Sequence, residues 1–230
     1  MKIYLDAMGG DHAPQATVEG AKEALGLFPE LTLELAGPAE TVRGVVDRVF
    51  ADAPALRKRL TVTDCPEVIT NDEAPVMAVR KKKSSAIVDG MLKLRDGAVD
   101  GFVSAGSTGA VLAGGMFRLG RIKGIDRPAL APLMPNGKGF FLLIDCGANV
   151  DCRPEYLQQF ALMGNAYMQG MRGLASPRIG LVNNGAESEK GCALTKAAYE
   201  LLEKTDLNFV GNVEARDITG DVADVLVCDG

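Results

Sequence analysis

The chain has no tryptophan, a single histidine, His12, and few aromatic residues, which make up 5% of its 230 positions. Its five cysteines are odd in number and form no Cys-x-x-Cys pair, which favours reduced thiols in a cytosolic protein over a disulfide framework or a zinc site. No apolar run reaches the roughly 18–20 residues of a spanning helix. The net charge of −5 argues against a general nucleic-acid binder, which needs a basic surface.

Short apolar segments alternate with amphipathic ones along the chain, which predicts an α/β fold with a mostly parallel sheet and helices on both faces. A Pro-Asn-Gly-Lys sequence at 135–138 predicts an antiparallel hairpin across 129–145. We expect strands at 2–6, 31–36, 60–63, 67–71, 100–104, 178–182, 209–210 and 222–227. We expect helices at 14–27, 39–51, 84–95, 107–119, 154–171 and 190–202.

The most unusual segment is Asp6–Pro14, between the first predicted strand and helix. Gly9 and Gly10 allow a sharp turn or a close approach to a ligand, and such turns lie where α/β sheets bind ligands. His12 and Asp11 are candidate catalytic residues, since histidine changes protonation near neutral pH. The alternative for His12, nearly as well supported, is that it braces the turn.

A second turn, Ser104–Ala110, also joins a strand to a helix. Its small residues and the helix amino terminus suit an oxyanion such as phosphate. It fits neither the Walker A nor the Gly-x-Gly-x-x-Gly spacing, and taken alone it is explained slightly better by a simple turn with Ser107 as helix cap. The candidate phosphate-binding residues are Ser104, Gly106, Ser107, Thr108 and Gly109.

Three further polar turns follow predicted strands at 145–154, 183–191 and 211–217. We expect them to line the same cleft, with Lys190 supplying a catalytic cation. The explanations that need no functional role are helix capping in the first of these turns and solvated loops elsewhere. The candidate cleft-lining residues are Asp6, Gly9, Gly10, Asp145, Asn149, Asn183, Glu187, Asn212 and Glu214.

Two basic stretches stand out in this acidic chain. They contain Arg80, Lys81, Lys82, Lys83, Arg118, Arg121 and Lys123. A basic run is usually a solvated helix face, and the alternative is a docking patch for an acidic partner.

Several of these segments together resemble the PlsX-type phosphate acyltransferases of bacterial phospholipid synthesis, and the resemblance extends in order over all 230 residues. The segments that carry it are Asp6–Pro14, Ser104–Ala110, Leu119–Ile125, Arg127–Ala129, Gly147–Cys152 and Gly211–Ile218.

The resemblance implies a three-layer αβα fold like that of isocitrate and isopropylmalate dehydrogenases. It implies transfer of a long-chain acyl group from acyl carrier protein to inorganic phosphate, without a metal or organic cofactor. It also implies a cytoplasmic homodimer with peripheral contact at the inner face of the membrane. We expect residues 1–230 to form one acyltransferase domain that lacks a carboxyl-terminal portion, through which the membrane contact would be made.

Two other functions compete with this one. A metal- and nicotinamide-dependent dehydrogenase would share the fold, but the sequence shows no convincing aspartate cluster or adenosine site. A non-catalytic fragment that binds carrier protein or phosphate would follow from the missing portion. The acidic carrier protein favours the basic stretches as its docking site.

Overall fold

The computed structural model describes all residues from Met1 to Gly230. The chain folds into two compact units, Met1–Arg121 and Ile122–Gly230, and each has its own sheet. The description of the chain as one functional domain stays a prediction. No helix in either unit is long and apolar enough to cross a lipid bilayer.

Unit 1 contains four strands and six helices, the last of which continues into a π-helical turn at Gly115–Leu119. The strands are β1 Lys2–Asp6, β2 Thr32–Gly37, β3 Leu60–Asp64 and β4 Gly101–Val103. The helices are α1 Gln15–Leu27, α2 Ala39–Val49, α3 Pro54–Arg57, α4 Pro75–Lys81, α5 Ala86–Arg95 and α6 Thr108–Gly114.

All pairs in the first sheet are parallel, in the order β3-β2-β1-β4. Alternation along β2 explains its two buried faces. Leu33 and Leu35 pack with α1 and α2, whereas Ala36 lies on the opposite face with Tyr4 and Ala86 of α5. Helices therefore cover both faces of this sheet, as predicted.

Unit 2 contains five strands, two α-helices and a 3₁₀-helical turn at Ala215–Asp217. The strands are β5 Leu133–Asn136, β6 Gly139–Ile144, β7 Arg178–Asn183, β8 Asn208–Glu214 and β9 Val225–Val227, and the helices are α7 Pro154–Arg172 and α8 Ala193–Glu203. The sheet order is β5-β6-β9-β7-β8, parallel except for the β5–β6 hairpin. The hairpin turns at Gly137 and Lys138, as its sequence predicts.

The helices of unit 2 share one core. Leu157 of α7 and Leu202 of α8 pack with Ile179 and Val225 of the sheet. The opposite face, with Phe141 and Leu226, is packed instead by Ile218 and Val222 of the segment before β9.

The structure corrects two predicted elements and adds one that was not predicted. The segment 67–71 is not a strand and makes only one bridge, Glu67 to Ser85. The helical region around the first basic stretch is two helices, because the chain breaks between α4 and α5 and Ser85 caps α5 by accepting a hydrogen bond from the Val88 amide. The short helix α3, which Pro54 begins, was not predicted.

Candidate functional site

In unit 1, the two glycine-rich turns follow adjacent parallel strands. Asp6 ends β1, Ser104 follows β4, and Leu5 pairs with Val103. The Ser104 hydroxyl donates to Oδ2 of Asp6 at 2.8 Å, and Oδ1 of Asp6 accepts from the Met8 amide at 3.2 Å. The structure therefore brings these two candidate segments together at the carboxyl end of the sheet.

Glycine is required where the two turns meet. A Cβ atom on Gly9 would lie 2.8 Å from the backbone nitrogen of Gly106 and 2.9 Å from Oγ of Ser104. A Cβ atom on Gly106 would lie 3.4 Å from the Cα of Gly9. Gly10 adopts a φ of 102°, in the region that favours glycine. The backbones of the two turns are thus in direct contact.

The polar groups of the second turn are partly occupied within the protein. Oγ of Ser104 accepts from the Gly106 amide at 3.1 Å. Oγ of Ser107 accepts from the Ala110 amide at 3.3 Å, which confirms that Ser107 caps α6. Thr108 is exposed, and Gly109 packs against Pro75 at the start of α4. Of the predicted phosphate ligands with side chains, Thr108 is the one open to solvent.

His12 and Asp11 are both exposed at the top of the first turn, and their side chains make no hydrogen bond. Pro14 lies directly before α1. The residue that holds this turn is Thr17, whose hydroxyl lies 2.7 Å from the carbonyl oxygen of Ala7 and 2.8 Å from that of Pro14. Sequence reasoning missed Thr17, because a threonine inside a helix carries no distinguishing signal.

In unit 2, Asp145 is fully buried at the end of β6. Its Oδ1 accepts from the amides of Leu130 at 2.7 Å and Cys146 at 2.8 Å. Its Oδ2 accepts from the amides of Ala148 at 3.1 Å and Asn149 at 2.6 Å, and from Nδ2 of Asn149 at 3.0 Å. This is the geometry of a carboxylate that organises its own loop.

Asn149 belongs to the same internal network. Its Nδ2 also donates to the carbonyl oxygen of Pro128 at 2.9 Å, and its own carbonyl accepts from the Gly230 amide at 3.0 Å. Neither Asn149 nor Asp151 caps α7, because Arg153 occupies the cap position without a side-chain hydrogen bond. The capping explanation for this turn is therefore wrong.

The structure groups four more candidates in unit 2. Nδ2 of Asn183 donates to Oδ1 of Asn212 and to the carbonyl oxygen of Lys190, both at 3.1 Å. Nδ2 of Asn212 donates to the carbonyl oxygen of Glu187 at 2.7 Å. The two asparagines shape the loop after β7, whereas the side chains of Lys190 and Glu187 are exposed. Glu214, at the end of β8, pairs with Arg216 at 3.1 Å.

The basic side chains differ in whether they already have an interaction partner in the protein. Lys82 pairs with Glu73 at 2.6 Å, the Arg80 guanidinium lies 5.6 Å from the ring centre of Phe117, and Arg118 donates to the carbonyl oxygen of Val79 at 3.0 Å. Arg121 and Lys123 are exposed, and Arg121 has an interaction partner. Lys81 and Lys83 are exposed cations without a partner.

All five cysteines are free thiols. Burial, with the nearby charges of Asp229 and Asp145, raises the pKa of Cys228 to about 12, and burial also raises the pKa of Cys152. A raised pKa disfavours the reactive thiolate. No group of three or more histidine, cysteine, aspartate or glutamate side chains is arranged to hold a metal ion.

Comparison with known proteins gives a family. The model of the fatty acid synthesis protein family matches residues 1–230. The phosphate acyltransferase of Thermoanaerobacter pseudethanolicus is 50% identical over 230 residues, which are 100% of this chain and 67% of that protein. The phosphate acyltransferase of Clostridium acetobutylicum is 49% identical over 231 residues, covering 100% of this chain and 68% of that protein.

Solved structures support the fold. EutD phosphotransacetylase from Staphylococcus aureus matches with a TM-score of 0.64 and 16% identity, over 99% of this chain and 77% of that one. A branched-chain phosphotransacylase from Enterococcus faecalis matches with a TM-score of 0.66 and 13% identity, over 98% and 78%. At these identities the likeness concerns the fold. Because the family model matches every residue and relatives are about half identical over the whole chain, the chain belongs to the fatty acid synthesis protein family.

Proposed function

We propose that the chain transfers a long-chain acyl group from the thioester of acyl carrier protein to inorganic phosphate, for use in phospholipid synthesis. The family establishes the class of reaction: the chain is an acyltransferase that transfers acyl groups to phosphate. The observation that carries the proposal is the identity of about 50% with phosphate acyltransferases along the whole chain. The non-catalytic alternative is not favoured, because that identity extends over 100% of the chain.

The reaction requires positioning more than activation of the nucleophile. Inorganic phosphate is already an anion at neutral pH, so the enzyme mainly has to orient it against the thioester carbonyl. A phosphate oxygen forms a bond to the carbonyl carbon, the carbon–sulfur bond breaks, and the sulfur takes a proton. Backbone N–H groups can stabilise the negative charge that develops on the carbonyl oxygen.

We place the phosphate at the turn between β4 and α6. The contact of Gly9 with Gly106 removes side chains from this surface, and Thr108 presents an unpartnered hydroxyl at the start of α6. The first N–H groups of a helix have no partner inside it, which suits an anion. His12 is the candidate for proton transfer to the leaving thiol, with Asp11 beside it. The catalytic role of Lys190 stays a prediction.

The acyl carrier protein, as an acidic partner, would dock on a basic surface. Lys81 and Lys83 support this proposal, because both are exposed and neither is engaged in an ion pair. We also propose a cytoplasmic homodimer with peripheral membrane contact, for which the support is the family resemblance. Sedimentation of the purified protein tests the dimer, and flotation with phospholipid vesicles tests the membrane contact.

The transfer itself is tested by incubating the chain with a long-chain acyl carrier thioester and phosphate. The expected result is acyl phosphate and free carrier in equal amounts, at a rate that depends on phosphate. Hydrolysis to free fatty acid at a rate independent of phosphate would contradict the proposal. A nucleotide-binding assay addresses the dehydrogenase alternative, for which we expect no binding.

A further inference from the structure

Asp6 is a buried carboxylate at the point where the two glycine-rich turns meet. Its side chain is 6% exposed, and burial raises its pKa while the hydrogen bonds from Ser104 and Met8 oppose that rise. Keeping a carboxylate here has a cost in stability. A carboxylate that is kept at the end of β1 despite this cost indicates a role other than packing.

The hydrogen bonds around Asp6 form a directed chain. The Gly106 amide donates to Oγ of Ser104 at 3.1 Å, and the Ser104 hydroxyl donates to Oδ2 of Asp6 at 2.8 Å. A serine hydroxyl has one proton, so Ser104 that donates to Asp6 has none left for a phosphate oxygen. The sequence-based role of Ser104 as a phosphate ligand is replaced by a role in holding the turn.

We propose that Asp6 is a positioning residue for phosphate, which acts through Ser104 on the backbone at Gly106. This inference rests on the proposed function, since it concerns the same phosphate site. A carboxylate accepts at both oxygens, so one side chain can fix the Met8 amide in the first turn and the Ser104 hydroxyl in the second. The two donors approach different oxygens of Asp6, and an amide in the same place would present an NH₂ group to one of them.

Packing also holds the two turns that Asp6 joins in a fixed position relative to each other. A Cβ atom on Gly9 would lie 2.9 Å from Oγ of Ser104, so this hydroxyl sits against the first turn. A Cβ atom added to Gly106 would lie 3.6 Å from Oδ2 of Asp6. Asp6 is therefore close enough to organise the turn, while its own oxygens face protein donors and not the open side.

The test compares Asp6→Asn, Ser104→Ala and the double variant in the full chain. Inorganic phosphate is titrated by calorimetry, and hydrogen exchange of the Gly106 amide is followed by NMR. Each single variant should weaken phosphate binding about tenfold, the cost of losing one charge-assisted hydrogen bond, and speed exchange at Gly106. The double variant should bind no more weakly than the weaker single variant, because both act through one chain.

Two further variants separate positioning from general loss of structure. Ser104→Thr keeps the hydroxyl and should retain phosphate affinity. Asp64→Asn is the matched control, since Asp64 ends the parallel strand β3 and accepts a hydrogen bond from the Ala39 amide at 2.9 Å. It should change neither readout. Ser104→Ala removes only a hydroxyl and keeps the test valid if Asp6→Asn does not fold.

The outcomes distinguish failure of the positioning role of Asp6 from failure of the proposed phosphate site. Additive losses in the double variant, or unchanged Gly106 exchange in Asp6→Asn, would overturn the positioning role. If the wild-type chain binds no phosphate, the proposed phosphate site fails, and the exchange measurement still decides whether Asp6 holds Gly106 through Ser104.

Discussion

Gly9 and Gly106 face each other so closely that a Cβ atom on Gly9 would lie 2.8 Å from the Gly106 nitrogen. The obstacle is backbone, which cannot rotate away as the end of a long side chain can. The contact joins the turn after β1 to the turn after β4, although almost one hundred residues separate them in the chain. The proposed phosphate site depends on this contact.

Replacing His12 tests its proposed role in proton transfer. For His12→Ala we expect turnover at saturating phosphate to fall about a hundredfold, the usual contribution of a general acid or base. Thermal stability should not change, because the ring is exposed and makes no hydrogen bond. His12→Gln, which keeps a polar side chain but cannot carry the proton, should be equally slow. Unchanged initial rates of acyl phosphate formation in both variants would rule out the role.

Charge reversal at Lys81 or Lys83 tests carrier docking. Each change to glutamate should raise the Michaelis constant for the acyl carrier substrate roughly tenfold at low salt and leave that for phosphate unchanged. Lys58→Glu is the control, because Lys58 is exposed and precedes the amino end of β3, whereas the glycine-rich turns follow the carboxyl ends of β1 and β4. Equal effects of all three substitutions would show a general charge effect and no docking patch. Lys82 is less suitable, because its ion pair with Glu73 would also be lost.

Asp145→Asn tests whether Asp145 holds its loop or faces a ligand. Asparagine would turn an NH₂ group toward backbone amides that now donate to Oδ1 or Oδ2. We expect the free energy of unfolding, measured in urea, to fall by about 3 kcal/mol. Asp151→Asn, at an exposed position in the same loop, should change it by less than about 0.5 kcal/mol. Lost activity with unchanged stability would instead indicate a ligand-facing carboxylate.

Glu34 gives unit 1 a defined acid dependence. Burial disfavours its charge, but contacts with Lys2 at 2.7 Å, with Lys93 and with Thr63 at 2.7 Å prevail and lower its pKa from 4.5 to about 2. Because the folded pKa lies below the unfolded one, the stability that Glu34 contributes is present above pH 4.5 and is lost as the pH falls through about 2.

We therefore expect Glu34→Gln to lower the free energy of unfolding by about 2 kcal/mol at pH 7. The difference from wild type should shrink steadily as the pH falls from 4.5 toward 2. Glu23→Gln, an exposed position on α1 with no partner, should follow the wild-type curve. A Glu34→Gln deficit that is constant with pH would show that the side chain contributes through its shape and not its charge.

Local chemistry in the sequence was enough to predict several features. Gly9 and Gly10 mark the first turn, Ser107 caps α6, and the Pro-Asn-Gly-Lys sequence places the β5–β6 turn. Each of these depends on the conformational preference of one residue or a few neighbours. The alternation of strands and helices likewise predicts the parallel pairs, which depend on the hydrophobic pattern.

Features that depend on distant contacts were not predictable in this way. Asp145 looks like a polar residue in a loop, and only the folded chain shows that donors from Leu130 and from its own turn converge on it. Ser104 and Asp6 are 98 positions apart, so no local pattern could show that their side chains bond to each other. The division of the strands into two sheets has the same cause, because pairing is set by the whole topology.

An NMR titration of the chain with inorganic phosphate, which follows the backbone amides, decides whether the two glycine-rich turns bind phosphate. We predict saturable shifts at Gly9, Gly106 and Thr108, with Gly20→Ala, whose added methyl group meets no atom within 4 Å, titrating like wild type. Gly9→Ala, which forces the two turns apart, should lose the shifts. Saturable shifts confined to the loop after β7, with none at these three amides, would contradict the account.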